Sequence, residues 1–404
     1  MKLQSAPMLS FQGNIIDGHS HIGKKEEWAK EDTSFQPENI YKVAGDSFSI
    51  TVGGKKQTDE IECCLVSNLG CFHKKEDGNF AQDEISGNQE VLEQCKQNPK
   101  LKAELACQVG VGDATNIEKL LQESASDVFA LKFHPRALEK AADDVSYEPY
   151  LKLAEKYKKP CVFHSDRIGT YADPYKIYET AKKTPNVPVV LYHMSMADGH
   201  LSDMPPDQLK AKGLEGVQGW VWDHREKWNQ DGIDVVKKAV RENKDANLYL
   251  EVSWTKPETI VKAIKEVGAD RVIFGTDSPF AENNKTYAQR VEEVKNAIIN
   301  DKEIQNHDDV IDKVFFENSN KLFFDGKLKQ SVGGVFKEIK PKEPEGLSPR
   351  SGSNLNIVSS PTTPSKPPAK NNKKAWIIAS GVALALGGMV LWLQNIKPES
   401  PQKS

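Results

Sequence analysis

Cysteine is scarce in this 404-residue chain and follows no pattern. Cys63, Cys64, Cys71, Cys95, Cys107 and Cys161 form neither a CxxC pair nor a zinc-finger spacing. Most lie in apolar runs, where a thiol packs as a small hydrophobe. That argues against a disulfide framework and for a reducing compartment. An excess of one charge is missing too: 54 Lys and Arg stand against 58 Asp and Glu, a net charge of −4. No broad basic face for nucleic acid is therefore expected. The opening residues, MKLQSAPMLSFQGN, hold no apolar run of signal-peptide length. There is no glycine-rich phosphate loop and no GxSxG elbow, which weighs against nucleotide and serine-hydrolase chemistry.

What is present divides into zones. Residues 1–327 alternate short apolar runs with amphipathic stretches. Residues 328–375 are rich in Lys, Pro, Ser, Gly and Asn, and bury too little apolar surface to offset their ordering entropy, so a disordered tether is expected. Residues 376–394 hold an uncharged run, Trp376 to Leu393, with Trp376 and Trp392 near its ends. As a helix its 18 residues reach about 27 Å, close to the hydrocarbon core of a bilayer. A single transmembrane helix is expected, with a polar tail at 395–404. Lys370, Lys373 and Lys374 before the run outnumber Lys397 and Lys403 after it, which favours a cytoplasmic N-terminal domain on a C-terminal anchor.

Eight β-like runs fall at 14–21, 62–68, 104–111, 128–134, 160–164, 187–192, 247–253 and 271–275. Several, such as CVFH and VPVVLYH, are apolar throughout, as strands buried on both faces of a parallel sheet are. Helical stretches separate them at 89–97, 117–124, 147–157, 174–183, 233–242 and 257–267. Eight such alternations predict an α/β fold, specifically a (β/α)₈ TIM-type barrel. Longer excursions at 24–59 and 194–231 are expected to wall the site.

The chemistry is concentrated at strand ends. His19 and His21 close the first strand in Asp17-Gly-His19-Ser-His21; side chains two apart share a face, so two imidazoles converge as half of a metal site. His164 ends the fifth strand, His193 the sixth and Asp277 the eighth, and a barrel gathers those ends at one mouth. Lys132 and His134 point the same way at the end of the fourth strand, where either would bind a substrate anion.

In this order, IIDGHSHIG, ALKFHP, the EPYLKLAEKYKKPCVFHSD block, VVLYHMS, IFGTDSP and NSNKLFF resemble the amidohydrolase superfamily, in particular its amidohydrolase-related (amidohydrolase 2) branch. The resemblance implies a divalent metal, zinc by expectation, one ion or two. It implies His19, His21 and His164 as ligands, and Asp277 as a weaker ligand that takes a proton from the metal-activated water. His193 would bond that water, the substrate or a second ion. Asp17 would orient a ligand histidine from behind. In some branches a lysine at the place of Lys132 is carboxylated and bridges two metals.

The leading expectation is a membrane-tethered metal-dependent hydrolase cleaving a C–N or C–O bond of a small molecule, with no nucleic-acid partner and with room for a homo-oligomer. Two rivals stand beside it: a metal-dependent non-oxidative decarboxylase, and a tethered scaffold with a vestigial metal site.

Overall fold

The computed structural model describes residues 12–23, 47–75, 77–196, 210, 224–279, 286–328, 331–332 and 335–336. The strands are β1 (Gln12–Ile22), β2 (Ser47–Val52), β3 (Lys55–Asn68), β4 (Leu101–Ala106), β5 (Val128–Phe133), β6 (Cys161–Asp166), β7 (Val189–Met196), β8 (Leu248–Glu251) and β9 (Val272–Ile273). Between and after them run α1 (Glu84–Gln97), α2 (Ala114–Ser124), α3 (Glu148–Tyr157), α4 (Pro174–Ala181), α5 (Glu226–Lys237), α6 (Pro257–Val267), α7 (Tyr287–Asn300), α8 (His307–Asp312) and α9 (Asn318–Phe324). All eight expected strands are present. Eight strands lie in the order β1-β3-β4-β5-β6-β7-β8-β9 and pair in parallel.

Backbone bonds join the last strand segment to the first. Gly18 N–H donates to Phe274 C=O at 3.0 Å, Asp277 N–H to His19 C=O at 2.8 Å, and His21 N–H to Ser278 C=O at 2.7 Å. The sheet thereby returns on itself, consistent with a (β/α)₈ barrel, and leaves no open edge between β9 and β1.

Some boundaries differ from those expected. β4 starts at Leu101 rather than 104, and β7 runs on to Met196. The excursion at 24–59 contains β2, antiparallel to β3. Gly53 and Gly54 both take positive φ, 56° and 77°, which a two-residue hairpin turn of this twist requires; the SITVGGKK signal for it was in the sequence. α7 to α9 extend helix well past 267. A short antiparallel pair, Ser331–Val332 with Val335–Phe336, lies beyond the expected boundary at 327. The rest of the expected tether, the Trp376–Leu393 run and most of the 194–231 excursion lie outside the described residues. Among the described residues no helix is long and apolar enough to cross a membrane.

Two apolar clusters follow from strand alternation. Ile15, Cys64, Val66, Cys161, Phe163, Val189 and Leu191 pack in the larger cluster with helix residues such as Ile117, Ile177 and Ile260. Their strand neighbours Ile16, Cys63, Leu65, Val162, Val190 and Tyr192 pack together with Phe316 and Phe323 in the other. The second cluster is the ring interior. Between Asp17 and Ser20, β1 carries three steps against two on β3, from Cys64 to Val66. This bulge reverses the alternation, so His19 and His21 join the interior face. At the opposite end Lys295 and Asp59, both buried, pair at 2.5 Å.

Candidate metal centre

Four groups meet at the C-terminal end of the ring. His19 Nε2 lies 3.1 Å from His21 Nε2. Asp277 Oδ1 is 2.9 Å from His21 Nε2 and 3.2 Å from His19 Nε2. His19, His193 and Asp277 offer ligand atoms that all lie within 4.8 Å of one another. All four residues are buried.

The outer nitrogens of the three rings explain this convergence. His19 Nδ1 lies 3.1 Å from Glu251 Oε2, and His21 Nδ1 3.1 Å from Ser67 Oγ. His193 Nδ1 is 2.8 Å from Ser253 Oγ, whose own hydroxyl donates to Glu251 Oε2 at 2.7 Å. With its proton committed to Glu251, Ser253 accepts from His193 Nδ1–H. Burial raises Glu251 to about 8 against its bonds from Ser253 and the His193 N–H; as a carboxylate, the form a bound cation favours, it likewise selects the Nδ1–H tautomer of His19. The Nε2 lone pairs are therefore turned toward the shared space. Burial above all pulls His19, His21 and His193 below the ordinary imidazole range, aided at His19 by Lys132 and opposed at His21 and His193 by Asp277, which favours the neutral rings.

Neutral lone pairs 3.1 Å apart repel unless something positive lies between them. A divalent ion held at about 2.1 Å sets neighbouring ligand atoms roughly 3.0–3.4 Å apart. The separations of 2.9–3.2 Å fit that edge length. By donor chemistry and by spacing, the residues fit a divalent cation.

Backbone strain gathers at the same place. His193, Met194, Ser195, Trp254 and Asp277 all have φ between 52° and 65°. Non-glycine residues take this region at a cost, and it recurs at functional sites. Here it swings His193 inward from a strand whose interior residues are Val190 and Tyr192.

The other expected residues are placed as follows. His164 Nε2 is 3.1 Å from Asp166 Oδ1, and its ring stacks on His134 with centroids 4.0 Å apart and meets His193 edge-on at 4.9 Å. His193 groups with His19 and Asp277, and His164 lies beside them. Asp166, on the same strand face, competes for the His164 nitrogen. His134 flanks the centre, its Nδ1 taking the Ala137 N–H at 3.3 Å. Lys132 is fully buried, with Nζ 3.9 Å from the Tyr192 ring centre and 3.4 Å from His19 Nε2. Asp17 does not touch a ligand ring: its carboxylate accepts the main-chain N–H groups of His19 at 3.1 Å and Thr276 at 3.0 Å. It ties the two ligand-bearing segments together, and the ring of His19 is oriented by Glu251.

Glu251, Ser253, Trp254 and Ser67 complete the centre; of these the sequence offers only Glu251, as a strand residue able to face the mouth, and assigns it no role. One signal existed. Glu251 is the lone charge in the apolar run LYLEVSW, a position that requires a partner once buried.

A family model described as amidohydrolase matches residues 76–324, more than half of the chain. The chain belongs to the amidohydrolase family. The matched stretch includes His164, His193, Glu251 and Asp277, while the strand with His19 and His21 precedes it. No curated protein matches the chain. Among solved structures, 2,6-dihydroxybenzoate decarboxylase from Rhizobium is similar at 16% identity and a TM-score of 0.48, over 78% of this chain and 99% of that one. A dihydroxybenzoic acid decarboxylase from a Polaromonas species, with bound manganese and the inhibitor 2-nitroresorcinol, aligns at 15% identity and 0.48, over 78% and 98%. The 5-carboxyvanillate decarboxylase of Sphingomonas paucimobilis aligns at 11% and 0.47, over 77% and 99%.

Proposed function

We propose that this amidohydrolase-family chain is a metal-dependent enzyme that acts on a small carboxylic acid and releases carbon dioxide. The observation that supports a metal enzyme is the meeting of His19 Nε2, His21 Nε2 and Asp277 Oδ1 within 2.9–3.2 Å, with His193 alongside. A bound divalent ion would supply charge that acidifies a coordinated water and polarises a coordinated oxygen. Three imidazoles and a carboxylate suit zinc, manganese or iron, so zinc is one of several ions consistent with the set.

Burial lowers Lys132 to about 8, while Glu104, Asp277 and Glu251 pull it back up. Its Nζ rests 3.9 Å from the Tyr192 ring centre and 3.4 Å from His19 Nε2, and one ion or two remain compatible with it.

The rim of the centre carries positive charge. Arg136, 3.7 Å from Asp166 Oδ1, and Arg167 follow the strands that lead to His134 and His164. These cations suit a substrate carboxylate. Loss of carbon dioxide leaves the broken C–C bond's electron pair on the substrate carbon, which must take a proton, just as a leaving amine or alkoxide must. Among the described residues, Asp277 is the carboxylate that faces the Nε2 atoms of His19 and His21. Hydrolysis is the second reading, because the same carboxylate is competent to take a proton from water.

Product analysis separates the readings. The protein loaded with Mn²⁺ or Zn²⁺ is incubated with a panel of carboxylic acids, amides and lactones. We expect metal-dependent carbon dioxide release from an acid. Hydrolysis products alone would replace the first reading with the second. A loaded protein inert toward the whole panel would leave the tethered scaffold.

We further infer a membrane tether, with the N-terminal domain on the cytoplasmic side. It is supported by the 18 uncharged residues from Trp376 to Leu393 and the lysines before them. The full chain is expected to stay in membranes through an alkaline carbonate wash, and a chain ended at residue 327 to wash off. Release of the full chain would refute the anchor.

A further inference from the structure

We propose that Trp254 is a positioning residue that restricts Asp277 to one oxygen at the metal centre. The inference rests on the metal-centre reading above. Trp254 Nε1–H donates to Asp277 Oδ2 at 2.7 Å, while Oδ1 of the same carboxylate faces His19 and His21. The two oxygens thus have separate tasks. An indole N–H only donates, so it holds Oδ2 without competing for the ion or a proton.

The geometry around Trp254 is built to keep it there. Its φ of 59° is in the left-handed region, which a bulky residue keeps only when its surroundings insist. Arg225 Nε donates to the Trp254 carbonyl at 2.7 Å. Arg290 donates to the carbonyls of Val252 at 2.8 Å and Thr255 at 2.7 Å, on either side of it. Two arginines from α7 and the turn before α5 therefore clamp one short segment after β8. That segment carries Ser253 and follows directly on Glu251, the two residues that orient His19 and His193.

The consequence concerns coordination number. A free Asp277 carboxylate could turn Oδ2 toward the ion and chelate it, filling a position that a substrate oxygen needs. With Oδ2 tied to the indole, Asp277 gives one bond and the position stays open.

The test uses the full chain in detergent, loaded with Co²⁺, whose visible absorption weakens as ligands are added. Two variants are compared: Trp254→Phe, and replacement of Trp254 by benzothienylalanine, which keeps the ring shape and loses the donor. Both are expected to hold one Co²⁺ with absorption reduced severalfold, and to lose kcat more than KM. Absorption unchanged at equal Co²⁺ content would overturn the proposal. So would a wild-type spectrum in the benzothienylalanine protein alone, which would make bulk the operative property. Loss of Co²⁺ from both would also overturn it, since the ion should gain a ligand. Should the unaltered protein bind no Co²⁺, the metal-centre reading itself fails.

Discussion

Replacing His19 with alanine is expected to weaken divalent-metal binding by at least about a hundredfold and to remove metal-dependent turnover. His19 is the hub of the centre: its Nε2 is within 3.2 Å of both His21 and Asp277, and its Nδ1 is held by Glu251. Losing an outer partner such as Glu251 typically costs 10–100-fold in affinity, and losing the ligand itself costs more. Glu251→Gln should therefore lie between the unaltered protein and His19→Ala. His134→Ala should keep its metal, since His134 flanks the centre through its stack on His164. Calorimetric titration with Zn²⁺ and Mn²⁺, with metal content measured after dialysis, checks the order. Metal binding in His19→Ala equal to that of the unaltered protein would sink the site.

The second large effect is expected at Asp277. Burial alone would raise its carboxyl, but the contact with His21, the neighbouring His193 and the Trp254 N–H hold it down at about 2. It is therefore ionised across the working pH range, in the form that can take a proton. Asp277→Asn keeps the shape and a carbonyl oxygen but cannot carry that proton. A positioned acid–base group contributes about 10²- to 10⁴-fold, so kcat should fall by that order with metal still bound. Steady-state kinetics on metal-loaded protein, beside a metal assay, make the comparison. Undiminished kcat in the loaded variant would remove Asp277 from the proton-handling role.

Much of this was readable before any coordinates. Apolar runs of strand length, separated by amphipathic stretches, located all eight ring strands, because burial on both faces leaves a plain compositional trace. The residues at those strand ends, His19, His21, His193 and Asp277, were likewise visible as polar groups where an apolar run stops. The hairpin strand β2 was missed, although its GG turn was on view, because its half-exposed SFSITV run looks like loop. The helices beyond 267 were not read out, and Glu251 was passed over because one carboxylate in a strand has no meaning until its partner is known.

Direction was harder than identity. Ile16 faces the ring interior, and strict alternation from it would carry positions 18 and 20 inward and turn both histidines out. The extra residue between Asp17 and Ser20, opposite Cys64 and Val66, restores them to the interior. Nothing local announces that bulge, since it is a register relation between Asp17 and Ser20 and the distant Cys64 and Val66. His193 enters the centre for a comparable reason: left-handed backbone at 193–195, held by packing, outweighs the period of two. That is also how His193 comes to lie beside His19 and Asp277.

The chain by itself determined which residue types stand at the ends of which strands, because burial and hydrogen-bonding chemistry are written residue by residue. Tertiary structure alone decided which of them meet, which nitrogen each ring presents, and that Glu251, Ser253 and Trp254 stand behind them. Those are relations between segments far apart in sequence, and only closure of the ring brings them within a hydrogen bond of one another.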